Sequence, residues 1–167
     1  MLIVFSGLPG TGKTSLARAL ASQLEAVHVR IDSIEETLLE MGGEGLVAQG
    51  AGYGVAYALA EDNLILGRTV IADAVNPIGA THAAWQSVAK RAGVEIVTVA
   101  LTCSDRREHQ GRIEARPAGT RGSNWQEVIN REFEAANDAA IVIDTAGKCV
   151  EQSLVQLQSY VRRQMPR

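Results

Sequence analysis

Aromatic residues make up only 4% of this 167-residue chain, which leaves few surfaces on which unpaired bases could stack. No stripe of lysine and arginine stands out, and the formal net charge is −3. Electrostatic capture of a long nucleic acid therefore has no support in the bulk charge. Only two cysteines occur, Cys103 and Cys149. They are far apart and form no CxxC pair, so they read as reduced, buried thiols of a cytosolic protein rather than a disulfide framework. The three histidines, His28, His82 and His109, have none of the spacings of a zinc site. No apolar run is long enough to span a bilayer. The N-terminus passes directly into an apolar strand and a glycine loop, unlike a signal peptide. These absences together lead us to expect a cytoplasmic protein with no membrane contact.

What is present is ordinary for a globular domain, with 46% hydrophobic and 21% charged residues. Residues 1–167 are expected to form a single domain that buries a full core without metal or disulfide staples. Apolar runs predict strands at Leu2–Ser6, Val27–Ile31, Thr69–Asp73, Val94–Leu101 and Ala139–Ile143. The alternation of Val27, Val29 and Ile31 with His28 and Arg30 places the second strand near a sheet edge. Helical spacing predicts helices over Thr14–Leu24, Gly52–Leu66 and Val150–Arg162. Ser33 and Glu36 read as a capping box opening a helix to about Met41. Asn76 and Pro77 read as N-cap and first position of a helix to about Arg91. Ser104 or Asp105 caps a helix to about Arg116, and Asn124–Asn137 forms another. The glycines from Gly42 to Gly54 suggest an irregular, mobile stretch. Strands alternate with helices throughout, which predicts a three-layer α/β fold around a five-stranded, mostly parallel sheet. Ligands in such sheets bind beyond the carboxyl ends of the strands.

Gly7-Leu8-Pro9-Gly10-Thr11-Gly12-Lys13-Thr14 fits the phosphate-loop pattern G-x-x-x-x-G-K-[ST], between a predicted strand and a predicted helix. Glycines let the backbone curl until several N–H groups face one phosphate. The helix that follows points its positive end at the same spot. Lys13 adds a point charge on the outer phosphates, and the Thr14 hydroxyl can ligate Mg²⁺. The candidate nucleotide-binding set is this octapeptide with Ser15 after it, and Arg116 from further along the chain.

Two carboxylates fall at strand ends. Asp32 follows the second strand; since Ser33 fills the cap position, Asp32 is left to orient a substrate hydroxyl and take its proton. Asp73 ends the third strand, where an acid can hold Mg²⁺ through water; it can also serve as a turn residue. Arg112 and Arg116 share one helix face, and Arg121 lies in the glycine-bearing loop beyond. Glu108 can pair with Arg112, or the three arginines can close over a triphosphate and neutralise charge during transfer. The expected lid segment is about 112–125. Asp144-Thr145-Ala146-Gly147 has the form of a GTPase D-x-x-G switch, but it follows the fifth strand and no N-K-x-D segment accompanies it. A loop near the nucleotide base fits it better.

Taken together these residues resemble the small P-loop kinases: shikimate and gluconate kinases, chloramphenicol phosphotransferase, the zeta-toxin kinases and nucleoside monophosphate kinases. The likeness is greatest to bacterial proteins labelled AAA-family ATPases or predicted kinases. It is carried by Gly7–Lys13, Arg30-Ile31-Asp32, Ala60–Leu64, Ala72–Pro77 and Ile143–Gly147. The resemblance implies a P-loop NTPase fold with sheet order 2-3-1-4-5, and ATP with Mg²⁺ as ligands. It also places the proton-accepting aspartate at Asp32 and the lid arginines at Arg112, Arg116 and Arg121. AAA+ motors carry a further helical domain for which this chain has no room. The expected activity is transfer of the γ-phosphate of ATP to a hydroxyl of a small molecule, by a monomer or homodimer. The acceptor is expected against segment 33–57, with Arg30 near the rim. Two other readings stay open: a nucleotide-binding regulatory ATPase, and a polynucleotide kinase or RNA-processing module.

Overall fold

The computed structural model describes residues 1–77, 79–117, 122–133 and 139–164. Along the chain run β1 (Leu2–Ser6), α1 (Lys13–Leu24), β2 (Val27–Arg30), α2 (Ile31–Glu40), α3 (Glu44–Ala48), α4 (Ala51–Ile65) and β3 (Val70–Asp73). They are followed by α5 (Gly79–Ala92), β4 (Ile96–Thr102), α6 (Arg106–Glu114), α7 (Trp125–Ile129), β5 (Ile141–Asp144) and α8 (Val150–Gln164). The strands form one sheet in the order β2-β3-β1-β4-β5, and every pairing in it is parallel. The central strand β1 is buried along its whole length, as an apolar strand covered on both faces must be.

Strand alternation assigns the two faces. Ile3, Phe5, Ile71 and Val99 pack under Leu16, Ala17 and Leu20 of α1 and Leu157 and Val161 of α8. Leu2, Val4, Val29, Val70 and Ala72 pack on the other face under Ala56, Ala60 and Leu64 of α4 and Trp85 and Val88 of α5. This is a three-layer sandwich. The register sets Phe5 beside Asp73 and Asp73 beside Arg30, so the ends of β1, β2 and β3 lie together at one edge. Asn76 holds that edge in place. Its Nδ2 donates to the Phe5 carbonyl at 2.7 Å and its Oδ1 accepts from Trp85 Nε1 at 3.0 Å. Trp85 is fully buried, and truncating such a residue to alanine costs about 3–5 kcal/mol.

Local chemistry departs from the sequence expectation at four places. Ser33 and Glu36 form no capping box: β2 passes directly into α2, with Arg30, still extended, as the N-cap and no side-chain cap. The box is lost to a competing donor, because Arg30 donates to Ser33 Oγ at 2.9 Å and Glu36 Oε2 at 3.4 Å. Asn76 caps no helix either. It adopts φ 48°, its side chain belongs to Phe5 and Trp85, and α5 begins at Gly79. The helix expected over Asn124–Asn137 is capped by Asn124 but ends at Ile129, with Asn130 as C-cap; Asn is a weak helix former, and residues 134–138 lie outside the described residues. The glycine-rich stretch is not wholly irregular. Gly42 and Gly50, at φ 76° and 79°, bracket the short helix α3.

Candidate active site

The phosphate loop is shaped by close backbone packing and by side chains that bond back to it. Gly7 sits at φ 144°, and a Cβ there would lie 2.4 Å from the Leu101 carbonyl oxygen, so a side chain would force β1 and β4 apart. Thr11 Oγ1 and Lys13 Nζ both donate to the Leu8 carbonyl, at 2.9 and 2.8 Å. Gly12 caps α1 with no side-chain acceptor, and the first turn carries no acid. The positive helix end is thus left for an external anion. Helix α6 grips the loop from outside, since His109 Nε2 donates to the Pro9 carbonyl at 2.7 Å.

Lys13 and Thr14 open into a cavity of about 280 Å³ that also takes in Asp32, Asp73, Glu36, Arg18, Arg30, Arg116 and Arg131. Lys13 is 8% exposed. Burial pulls its pKa from 10.5 down to about 8, against the opposing fields of Asp73 and Asp32; Arg116 and Arg131 push in the same direction as burial. Asp73 is 2% exposed, and its Oδ2 lies 3.3 Å from His28 Nε2. Asp32 occupies the first turn of α2, half-buried, with Oδ2 accepting from Arg30 Nη2 at 3.1 Å. Burial also lowers the pKa of Arg116, with Asp32 opposing, and Arg116 Nη1 donates to the Gly122 carbonyl at 3.3 Å.

Not every residue singled out from the sequence joins this cavity. Arg112 is held by Glu108 and by Thr145, donating to the Thr145 hydroxyl at 2.8 Å and its carbonyl at 2.9 Å. It lines a second cavity, of about 530 Å³, with Gly12, Ser15, Thr145, Lys148 and Val150; Arg116 borders both. Arg121 lies outside the described residues. Asp144 is occupied in binding its own loop, accepting from the Ser104 and Ala146 N–H groups at 3.0 and 3.1 Å. Three charged residues in the cavity were given no role in ligand binding by the sequence. Arg18 sits one turn after Thr14 on α1, a spacing that could have found it. Arg131 was hidden inside a helix expected to be longer than it is. Glu36 was assigned to the capping box. A smaller chamber of about 80 Å³ adjoins, shared by Asp32, Glu35, Tyr53, Val75, Pro77 and Arg131. The Tyr53 oxygen accepts from the Asn76 N–H at 3.2 Å, and burial raises its pKa.

The sheet order and the loop from Gly7 to Thr14 define a P-loop nucleotide-binding fold. Residues 2–140 match the protein family described as AAA domain, and the chain belongs to that family. Among solved structures, the APS kinase CysC of Mycobacterium tuberculosis, in complex with AMPPNP and APS, superposes with a TM-score of 0.77 at 16% identity, covering 96% of each chain. A gluconokinase from Sinorhizobium meliloti 1021 superposes with a TM-score of 0.67 at 16% identity, covering 97% of this chain and 91% of that one. Kti12 from Chaetomium thermophilum, in complex with ADP-AlF3, has a TM-score of 0.66 at 20% identity, covering 96% of this chain and 99% of that one. Similarity at this level is similarity of fold. No curated protein matches the chain in sequence. Among the described residues, no helix is long and apolar enough to cross a membrane.

Proposed function

We propose that the protein transfers the γ-phosphate of ATP to a hydroxyl of a small molecule. The observation that carries this reading is that Asp32 opens into the same cavity as Lys13, Thr14 and Asp73. A nucleotide binder needs the last three; a carboxylate facing them from the neighbouring strand end is what an acceptor hydroxyl needs. The loop N–H groups and Lys13 hold the β- and γ-phosphates. The acceptor oxygen attacks the γ-phosphorus, the new O–P bond forms as the bond to the β-phosphate oxygen breaks, and ADP leaves. Asp32 holds the hydroxyl in line and takes its proton late in transfer. Arg116 stabilises charge on the moving phosphoryl group, and Arg121 is assigned with it to a lid over about 112–125; Arg131 borders the acceptor chamber. The chamber beside Tyr53 and Glu35 receives the rest of the acceptor, within segment 33–57. The base lies in the second cavity, over the loop from Thr145 to Lys148, so Arg112 acts there rather than on the γ-phosphate.

Mg²⁺ fits the residues present. It typically takes one or two protein oxygens and completes its shell with phosphate oxygens and water. Thr14 and Asp73 offer that pair in one cavity, and no cluster of three His, Cys, Asp or Glu suited to holding a metal occurs among the described residues. When bound, Mg²⁺ neutralises charge developing on the phosphates.

A regulatory ATPase, which needs the phosphate loop and the metal-site residues but no acceptor carboxylate, is the second reading. A panel of small alcohols separates the two. ADP formation that rises with one acceptor and labels it from γ-³²P-ATP supports the kinase. Turnover indifferent to every acceptor but raised by a protein partner supports the regulator.

A further inference from the structure

Asp73 is the least exposed acid of the cavity, at 2%, and β2 supplies its hydrogen-bonding neighbour. On the edge strand β2, side chains alternate between faces. Val29 joins the core on the α4–α5 face, so His28 and Arg30 turn to the α1 face, which Asp73 shares. The parallel register sets Arg30 beside Asp73 and His28 beside Ile71. Arg30 donates to Asp32, Ser33 and Glu36. His28 reaches along the strand instead and meets Asp73 Oδ2 at 3.3 Å. His28 also borders an open cleft formed with Arg18, Leu59 and Asn63. Asp73 thus lines the phosphate cavity while one of its oxygens is held by His28.

We propose that His28 is a positioning residue: by donating from Nε2 to one oxygen of Asp73, it fixes the carboxylate so that the other faces Thr14 and the metal–nucleotide complex. The inference rests on the reading of Asp73 as a metal-site residue. Partners that orient a metal's ligands typically contribute 10–100-fold in metal affinity or activity. A histidine that only compensates a buried charge would affect folding and leave the metal response untouched.

The test is calorimetric binding of a non-hydrolysable ATP analogue with and without Mg²⁺. In His28→Leu, metal-free affinity should stay within about threefold, while the tightening produced by Mg²⁺ should shrink by about tenfold. His28→Gln keeps a donor for the same oxygen and should recover part of it. Asp73→Asn should lose the tightening whatever stands at position 28. Loss in Asp73→Asn with full tightening in a folded His28→Leu overturns the proposal alone. Full tightening in Asp73→Asn overturns the metal assignment and the proposal with it. Should His28→Leu fail to fold, the wild-type protein still decides. The ¹⁵N resonance of His28 Nε2 should shift when Mg²⁺ is added to the analogue complex, and an unmoved resonance overturns the proposal.

Discussion

The two walls of the cavity are built on opposite plans. On the α1 side, consecutive residues from Gly7 to Ser15 supply the site, chiefly through backbone N–H groups and one buried cation. On the α2 side the groups are side chains, drawn from β2, α2, α4 and the segment after α7: Arg30, Asp32, Tyr53 and Arg131. The first plan suits a ligand that never changes, because a curled backbone next to a helix end fits any phosphate. The second suits a ligand that differs between proteins, because each side chain can be exchanged without disturbing the sheet. The bridges between the walls, Asp73 and the Asn76 hydrogen bonds, lie in β3 and just beyond it.

If the comparison holds, substitutions on the two walls should separate nucleotide handling from acceptor handling. The largest effect is expected at Lys13. Lys13→Met should lower turnover by roughly two to three orders of magnitude, the scale of losing one preorganised charged contact. Its thermal midpoint should be no lower than wild type, because Lys13 is held uncomfortably dry, with a pKa near 8. Steady-state kinetics with thermal denaturation checks both, and a folded variant with near-normal turnover would break the assignment.

Asp32→Asn should come next. Transfer to the acceptor should fall by about a hundredfold, with analogue affinity within a few-fold of wild type. Stability should change by less than about 1 kcal/mol, since the pair with Arg30 is 21% and 43% exposed and correspondingly screened. Loss of affinity only in the presence of Mg²⁺ would instead move Asp32 into the metal site.

The pH response belongs to the phosphate wall alone. A bound triphosphate restores the charged form of Lys13, so binding takes up a proton once the free protein has lost it. Affinity should therefore be flat below about pH 7 and fall by about tenfold between pH 7 and 9, with proton uptake visible in buffers of different ionisation enthalpy. Folding stability moves the other way. Between pH 8 and 10.5 the unfolded chain holds more protons at Lys13 than the folded one, so this residue's contribution rises with pH. Lys13→Met should abolish both dependences.

Arg131→Gln should have the smallest effect, because the residue is exposed. A roughly fivefold loss in kcat/KM is expected, below the usual value of a buried charged contact. It should appear mainly in the acceptor KM, and an equal loss in ATP affinity would return Arg131 to the phosphate wall.

The same contrast explains what could be read from the sequence. The phosphate loop is contiguous, so its motif and the flanking strand and helix identify it, and alternation of apolar runs fixes the sheet. The acceptor wall is assembled over long range. Arg131 enters only because the helix after Asn124 stops at Ile129, a boundary that propensity places poorly. The capping-box spacing of Ser33 and Glu36 misled because nothing local reveals that Arg30 takes both oxygens. Arg112 and Arg116 do not share a helix as their spacing suggested: α6 ends at Glu114 with Ala115 as C-cap, so Arg116 lies beyond it, while Thr145, 33 residues beyond Arg112, draws Arg112 into the other cavity.

The central claim is that Asp32 faces the phosphate loop in order to present a hydroxyl. The most direct measurement is γ-³²P transfer from ATP to a panel of small alcohols, run in parallel with wild type, Asp32→Asn and Lys13→Met. The account predicts at least one labelled acceptor with wild type, label reduced about a hundredfold in Asp32→Asn despite retained nucleotide binding, and the largest loss in Lys13→Met. Lys13-dependent ATP turnover that labels no acceptor and is unchanged in Asp32→Asn would contradict it.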